Sequence, residues 1–497
     1  MKHLLGLDIG TTGAKALLSD ERGTVLATST AEYPLFAPFP LWSEQNPADW
    51  WRGAQEAIRA VLVKAGVAGE SVAGLGLTGQ MHGAVFLDAM GEVIRPALLW
   101  NDQRTAAECE EIMKRVGATR LIELAGNPAL TGFQAPKILW LRNHEPDNYA
   151  RLAQVLLPKD YIRLKLTGVS ASDVSDAAGT LLLDLRTRDW SEEILRALDI
   201  HRAWLPKVFE GPEVTGALLP EVAVAFGFPA GLPVIAGGGD NAAAAVGTGV
   251  VRAGVVSSSI GTSGVLFAHS DSIALDPQGR LHTFCHAVPG RYHLMAVTLS
   301  AGGSFRWLRD ALGASQTYDE LTAQAATVPP GCEGLLFLPY LTGERTPHLD
   351  PLARGAFVGL TARHTTAHLI RAVMEGVVFS LRDGLEIMRG LGVPLEQIRA
   401  TGGGGRSPLW RQMQADIYGV EVVTLAADEG PAYGAALLAG VGADVFANVN
   451  EAVDRCVSAT GRTQPDDGNQ SHYERAYAIY RKLYGPLRAS MHQLAAV

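Results

Sequence analysis

Short apolar runs separated by turn residues occupy the first part of the chain, and such runs predict strands. We predict strands at residues 2–9, 14–18, 24–28, 72–77 and 85–87. The last two flank the segment TGQMHG (residues 78–83), which we expect to be a loop. The second half repeats this arrangement from about Gly249 onward.

Two stretches have apolar residues at helical spacing. Asn46 followed by Pro47 is typical of a helix start, and an apolar stripe follows it. The clearest helix is predicted from Thr365, as its N-cap, to Met388, with Gly390 beyond its end. Strands and helices alternate along the chain, so we predict an α/β fold.

A short sequence occurs twice: IGTTG at residues 9–13 and IGTSG at residues 260–264. Apolar residues precede and follow each copy, which predicts a strand, a tight glycine turn and a second strand. Such a turn exposes backbone N–H groups and hydroxyls, and its glycines let an anion approach closely. Two unrelated hairpin turns are the alternative. We favour two similar domains that face each other across the phosphates of a nucleotide.

The chain has 497 residues, which is too long for a single hydrophobic core. We predict two domains, residues 1–245 and residues 246–497. No low-complexity linker marks the boundary, so we expect the domains to pack closely and to hinge.

Composition narrows the classes of partner and the compartment. Acidic residues outnumber basic residues by 51 to 42, which argues against a nucleic acid or an anionic membrane as a partner. The four cysteines lack metal-ligand spacing, and Asp8 interrupts the first apolar run before it reaches signal-peptide length. We therefore expect a cytoplasmic protein. The sequence does not decide between a monomer and a homodimer.

The motif DIGTTGAK (residues 8–15) places a carboxylate at the end of a strand, beside an amide-rich turn. A negative charge there is explained by a cation between Asp8 and phosphate, and Mg²⁺ fits because it takes one or two carboxylates plus phosphate oxygens. Alternatively, Asp8 only caps the turn. Lys15 is either a phosphate contact or an exposed lysine.

The motif GGGDNAAAAVGTG (residues 237–249) places Asp240 between an apolar strand and an alanine-rich helix. An aspartate at this position often caps its helix. It could equally accept the proton of a substrate hydroxyl during phosphoryl transfer. The residues by themselves favour neither role.

Two further glycine-rich motifs precede predicted helices. TGGGGRSPLWRQMQAD (residues 401–416) offers a flat surface for a planar base, and a helix begins near Ser407 and Pro408. SAGGSFRWL (residues 300–308) could supply backbone amides near phosphates. A glycine run is also typical of an ordinary loop. The Walker pattern GxxxxGK[ST] and a GxGxxG that opens a βαβ unit are absent.

These motifs, in this order over nearly the whole chain, resemble the FGGY family of carbohydrate kinases. DIGTTGAK and SSIGTSG resemble its two phosphate motifs, and TGGGGRSPLW resembles its adenosine motif. Residues 355–375 fit its second signature. Residues 133–146 fit the first signature, except that Gln134 replaces the expected Ser, Thr or Pro. GQMHG, LWNDQR and GERTPHLDPLARGAF resemble the branch that phosphorylates D-xylulose.

The resemblance implies two actin-like (ribonuclease H-like) domains around a nucleotide cleft. It implies ATP-dependent phosphorylation of D-xylulose to D-xylulose 5-phosphate, with ATP and Mg²⁺. By this analogy Met81 and His82 contact the sugar, Asp240 is the general base, Asn241 binds a sugar hydroxyl, and Mg²⁺ lies near Asp8. The implied nucleotide contacts are Thr12, Thr262, Gly302, Gly403, Gly404 and Ser407.

Two other functions stay open at this point. One is phosphorylation of another pentulose or a polyol by the same family. The other is an actin-like ATPase or sugar sensor that binds nucleotide without transferring phosphate. His82 could also be a packed polar residue rather than a ligand contact.

Overall fold

The computed structural model describes residues 2–313, 315–427 and 429–495. Two large mixed sheets organise these residues. The strands of the first sheet, in spatial order, are Val214–Ala217, Pro233–Ile235, Val72–Gly79, His3–Ile9, Gly13–Asp20 and Val25–Glu32, and Gly238–Gly239 also pairs with Val72–Gly79. The strands of the second sheet are His282–Cys285, Tyr292–Thr298, Gly264–Ser270, Gly254–Ile260, Leu395–Thr401, Glu421–Leu425 and Ala459–Thr463.

Smaller strand pairs and helices complete the fold. The two-stranded pairs are Glu44–Gln45 with Ala97–Leu98, Val85–Leu87 with Gln154–Leu156, Ala171–Asp173 with Lys207–Phe209, Leu183–Asp184 with Asp189–Trp190, and Leu336–Leu338 with Ala356–Val358. The α-helices are Pro47–Ala65, Ala106–Val116, Ala118–Ala125, Gln134–His144, Pro146–Ala150, Pro158–Thr167, Val174–Ala178, Glu192–Leu198, Pro220–Phe226, Asp240–Gly247, Gly302–Ala311, Tyr318–Ala325, Thr366–Gly390, Gly402–Arg406, Pro408–Tyr418, Pro431–Gly442, Val449–Cys456, Asp467–Tyr480 and Tyr484–Leu494.

The two large sheets have the same strand topology. In the first, His3–Ile9 is antiparallel to Gly13–Asp20 and parallel to Val72–Gly79. In the second, Gly254–Ile260 is antiparallel to Gly264–Ser270 and parallel to Leu395–Thr401. The turns IGTTG and IGTSG therefore occupy equivalent positions in two related sheets, as their repetition predicts.

Local signals at the two predicted helix starts agree with the structure. Asn46 caps the helix Pro47–Ala65, because its side chain accepts a hydrogen bond from the N–H of Ala48. The long helix Thr366–Gly390 begins directly after Thr365, and its apolar stripe is buried as expected. The predicted end is slightly too early, since Gly390 is still helical.

One helix of the second half packs directly on the backbone of the first sheet. A Cβ on Gly6 would lie 1.9 Å from the carbonyl oxygen of Ala432, and a Cβ on Gly76 would lie 1.9 Å from that of Ala435. Only glycine allows the helix Pro431–Gly442 to approach so closely. The two halves are thus joined by a tight interface, and the predicted boundary near residue 245 stays a prediction.

Among the described residues, no helix combines the length and the apolar character that crossing a bilayer requires.

Candidate active site

A cavity of about 220 Å³ lies between the two halves, and the four predicted sugar contacts all line it. They are Met81, His82, Asp240 and Asn241. The other lining residues of the first half are Trp100, Leu130, Gly132 and Phe133. Those of the second half are Ser263, Val265, His282, Phe284, Met295, Val297 and Arg345. We call this space the small cavity.

Asp240 is the first residue of the helix Asp240–Gly247, as its motif suggests. Its Oδ1 accepts hydrogen bonds from the backbone N–H of Asn241 at 2.7 Å and from the Asn241 side-chain amide at 2.9 Å. Within the described residues, Oδ2 has no hydrogen-bond partner. One carboxylate oxygen is therefore fixed while the other can meet a substrate hydroxyl.

Burial raises the pKa of Asp240 to about 6, although the two hydrogen bonds from Asn241 act in the opposite direction. At neutral pH the group is ionised, and it is more basic than an exposed aspartate. Such a pKa suits a general base.

A buried network holds the backbone just before Asp240. The hydroxyl of Ser175 accepts a hydrogen bond from the N–H of Gly239 at 3.1 Å and donates to Asp173 at 2.5 Å. Asp173 in turn pairs with the buried ammonium of Lys159 at 2.7 Å. The members of this network lie far from residues 237–249 in the chain, so the sequence alone does not reveal the support.

His82 presents its imidazole to the small cavity from a left-handed backbone conformation, with φ +69°. Its Nδ1 lies 2.5 Å from the carbonyl oxygen of Gly179, which can only accept, so Nδ1–H is the donor. Burial is the main reason that the pKa of His82 falls to about 3. A neutral ring with a protonated Nδ1 leaves Nε2 as a hydrogen-bond acceptor.

Two buried side chains of the first signature fix the loop that carries His82. The ammonium of Lys137 donates to the carbonyl oxygens of His82 at 2.8 Å and Gly132 at 2.5 Å. The side chain of Gln134 donates to the carbonyl oxygen of Gly83 at 2.7 Å. The unusual Gln134 thus has a structural role beside the predicted sugar site.

Asp8 lies near the end of the strand His3–Ile9, beside the first hairpin turn. The pKa of Asp8 is raised to about 7, mainly by burial and also by the charge of Asp240, whereas the charge of Lys15 lowers it. Its buried Oδ1 has no hydrogen-bond partner among the described residues. An unpaired buried carboxylate oxygen close to a second carboxylate fits a cation. No group of three or more His, Cys, Asp or Glu in the described chain could hold one, so most ligands would come from substrate and water.

The first hairpin turn is hydrogen-bonded to the rim of the small cavity. Thr12 is exposed in this turn. It lines neither the small cavity nor a second cavity that is formed by residues of the second half. The neighbouring Thr11 hydroxyl accepts a hydrogen bond from the indole of Trp100 at 2.9 Å. Lys15 is half-buried and pairs with Glu429 at 2.8 Å, so it is not a free exposed lysine.

A second cavity, of about 560 Å³, is lined by residues of the second half. Four of the predicted nucleotide contacts line it: Thr262, Gly302, Gly403 and Ser407. Gly404 does not line it, because it is buried against Ile260. We call this space the large cavity.

The glycine run lies in the helix Gly402–Arg406 and is therefore not the ordinary loop that was the alternative interpretation. Gly403 is exposed at the large cavity, whereas Gly404 and Gly405 are buried. Ser407 caps the next helix, as predicted, by accepting from the N–H of Trp410. The N–H of Gly302 donates to the carbonyl oxygen of Gly261 at 2.8 Å, so this amide is already used.

Apart from Ser263, which lies in the turn IGTSG, the residues of the second half that line the small cavity received no individual role from the sequence. Arg345 is the clearest case, since it lies in the quoted segment GERTP and adds a cation to the cavity. The sequence signal that could have pointed to Arg345 was the resemblance of its segment to the branch that phosphorylates D-xylulose. The sequence alone does not show that Arg345 and His82 line the same cavity.

Comparisons with known proteins agree with this architecture. The model of the N-terminal domain of the FGGY family of carbohydrate kinases matches residues 3–247, and that of the C-terminal domain matches residues 256–443. A xylulose kinase of Escherichia coli (strain K12) is 45% identical over 484 residues, which cover 97% of this chain and 99% of the relative.

Solved structures match over nearly the whole chain. A xyloylose kinase from Brucella ovis matches with a TM-score of 0.92 and 39% identity, covering 98% of this chain and 99% of that one. A gluconate kinase from Lactobacillus acidophilus matches with a TM-score of 0.94 and 28% identity, covering 99% of each chain.

The fold is that of a two-domain, actin-like kinase. The chain belongs to the FGGY family of carbohydrate kinases.

Proposed function

We propose that this protein phosphorylates D-xylulose with ATP to give D-xylulose 5-phosphate. The observation that carries the proposal is the small cavity. There the pair Met81 and His82 meets the pair Asp240 and Asn241, although the two pairs lie far apart in the sequence. The xylulose kinase of Escherichia coli, at 45% identity over nearly full length, supports this choice of sugar.

Asp240 acts as the general base in this proposal. Its fixed Oδ1 holds the carboxylate, and the free Oδ2 orients the C5 hydroxyl of the sugar and accepts its proton as the phosphoryl group is transferred. Phosphoryl transfer depends mostly on alignment and on charge stabilisation, which a rigid base provides.

The large cavity is the proposed nucleotide site. Gly403 and Ser407 would contact the adenosine, and Thr262 in the second hairpin turn would contact phosphate. Thr12 in the first turn would approach the phosphates from the opposite domain. Gly302 would leave space for the nucleotide because it has no side chain. Its N–H would not bind phosphate, since it already donates to Gly261.

Asp8 would hold a divalent cation, which we propose to be Mg²⁺. Its buried, unpaired Oδ1 supports this role. The bound cation would neutralise charge on the β- and γ-phosphates. Without the cation, the carboxylates of Asp8 and Asp240 repel each other, and no positive charge of a bound ion compensates them.

The first test is MgATP-dependent ADP release with D-xylulose, L-xylulose, D-ribulose, L-ribulose, D-gluconate, glycerol and no sugar. We expect the highest kcat/KM with D-xylulose. A preference for another sugar would leave the Asp240 mechanism in place and overturn the substrate. ADP release that no sugar stimulates would point to an ATPase or a sensor instead.

A further inference from the structure

We propose that Arg345 binds the C2 carbonyl oxygen of an open-chain ketose and so determines specificity for a 2-ketose. The inference rests on the proposed function, and it concerns a residue of the second domain. Arg345 lines the small cavity together with His82.

The hydrogen bonds of the two histidines define what each can offer a ligand. Nδ1–H of His82 donates to Gly179, and Nδ1 of His282 lies 2.7 Å from the side-chain oxygen of Asn127. The Asn127 amide donates to two backbone carbonyls, so its oxygen is the acceptor and His282 Nδ1–H is the donor. Both rings therefore have a hydrogen-bond acceptor at Nε2.

Burial keeps both histidines neutral, because it lowers the pKa of His82 to about 3 and that of His282 well below its usual value. The charge of Arg345 lowers both pKa values as well, which means that the guanidinium lies near both rings. The histidine side of the small cavity thus combines two acceptors with one cation.

Most of the other side-chain N–H donors of the small cavity are already used. The amide of Asn241 gives one of its two N–H groups to Asp240, and the indole of Trp100 donates to Thr11. Within the described residues, the Arg345 side chain forms no hydrogen bond or ion pair. The neighbouring Glu344 carboxylate accepts from Thr298 and from the backbone N–H groups of Leu299 and Arg345. The guanidinium is therefore a free donor without an acceptor.

The chemistry of the sugar supplies the missing acceptor. A 2-ketopentose forms its furanose ring by joining O5 to C2, so O5 can be phosphorylated only in the open-chain form. In that form C2 is a ketone, whose oxygen accepts hydrogen bonds and cannot donate. A guanidinium, which only donates, matches it, whereas Nε2 of His82 and His282 match hydroxyls.

The two ends of the sugar match groups on different domains. Asp240 must contact the C5 hydroxyl, and the C2 carbonyl lies three carbons away on the same chain. Asp240 belongs to the first domain, whereas Arg345 belongs to the second. The ketone end and the phosphorylated end of the sugar would thus contact different domains.

The test combines Arg345→Met with removal of the C2 oxygen from the sugar. The two substrates are D-xylulose and the 2-deoxypentitol with the same configuration at C3 and C4. For the unmodified enzyme we expect kcat/KM to be lower with the deoxy compound by about 10–100-fold, the usual effect of a lost hydrogen bond to a charged group. In Arg345→Met the ratio of kcat/KM for D-xylulose to kcat/KM for the deoxy compound should fall below about threefold, because the guanidinium that binds the C2 oxygen is gone.

Two further variants control this comparison. Arg363→Met changes an exposed arginine that pairs with Glu333, and it should keep the ratio of the unmodified enzyme. Arg345→Lys keeps a charge and a donor at shorter reach, so it should give an intermediate ratio. If Arg345→Met shows no cooperative melting transition, Arg345→Lys serves as the test variant instead.

Each outcome decides between the hypotheses. An unchanged ratio in Arg345→Met, in an enzyme that phosphorylates D-xylulose, would overturn the role of Arg345 alone. An unmodified enzyme that is inactive on D-xylulose would overturn the proposed function instead. A preference for D-gluconate would assign the guanidinium to a carboxylate and overturn both.

Discussion

At the scale of single residues, two polar side chains of the proposed sugar site each have one atom that is held by the protein and one that is free for a ligand. Asp240 has one oxygen bound by Asn241 and one oxygen free. His82 has one nitrogen bound to Gly179 and one free. Each group is fixed at one atom and available at the other, which is how a preformed site limits the entropy lost on binding.

The proposed role of Asp240 predicts the behaviour of Asp240→Asn. The amide keeps the shape of the side chain but cannot accept the proton, so we expect kcat to fall by about 10²–10⁴-fold. The large cavity is the proposed site of ATP and does not contain Asp240, so the Kd of ATP should stay within about twofold. Initial rates of ADP release and calorimetric titration with ATP measure the two effects. Near-normal turnover in Asp240→Asn would remove Asp240 from the mechanism.

The pH dependence of the unmodified enzyme provides an independent check. The raised pKa of about 6 means that Asp240 becomes protonated, and loses its function as a base, as the pH falls through 6. We therefore expect kcat/KM for D-xylulose to be level above pH 7 and to decrease tenfold per pH unit below about pH 6. A profile that stays level down to pH 4.5 would contradict a buried base.

At the scale of secondary-structure elements, local signals and long-range packing were predictable to different degrees. The hairpins and the Asn46 cap follow from a few neighbouring residues, and the structure confirms them. The glycine run forms a helix in which Gly404 packs on Ile260, some 140 residues earlier in the chain, and no neighbouring residue signals that contact. Arg345 received no role for the same reason, since only the folded chain places it near His82.

The two middle glycines of that helix offer a matched pair of variants. A Cβ on Gly403 would be 3.7 Å from the nearest atom and would project at the large cavity, whereas a Cβ on Gly404 would be 2.6 Å from the Ile260 side chain. We expect Gly403→Ala to keep the melting temperature and to raise the KM for ATP several-fold. Gly404→Ala should lower the melting temperature, since the core must shift. Thermal unfolding and ATP titrations of both variants separate the effects, and an unchanged KM in Gly403→Ala would remove it from the nucleotide site.

At the scale of the whole molecule, the small cavity, which is the proposed sugar site, is lined by both halves of the chain. Met81, His82 and Asp240 come from the first, and Arg345 comes from the second. The tight contact between the helix Pro431–Gly442 and the first sheet holds the domains together at one side. Rotation about this contact would open or close the small cavity, and closure would exclude water from the phosphoryl group.

This arrangement predicts that sugar binding orders both domains at once. Hydrogen exchange, measured with and without saturating D-xylulose, should slow at residues 81–83 of the first domain and at residues 343–346 of the second. The helix Asp467–Tyr480 lines neither cavity, and its exchange should stay unchanged, which provides the internal control. Protection confined to the first domain would mean that the sugar binds without closing the cavity. In that case Arg345 would not touch the ketone, and the domains would have to close later, when the nucleotide binds.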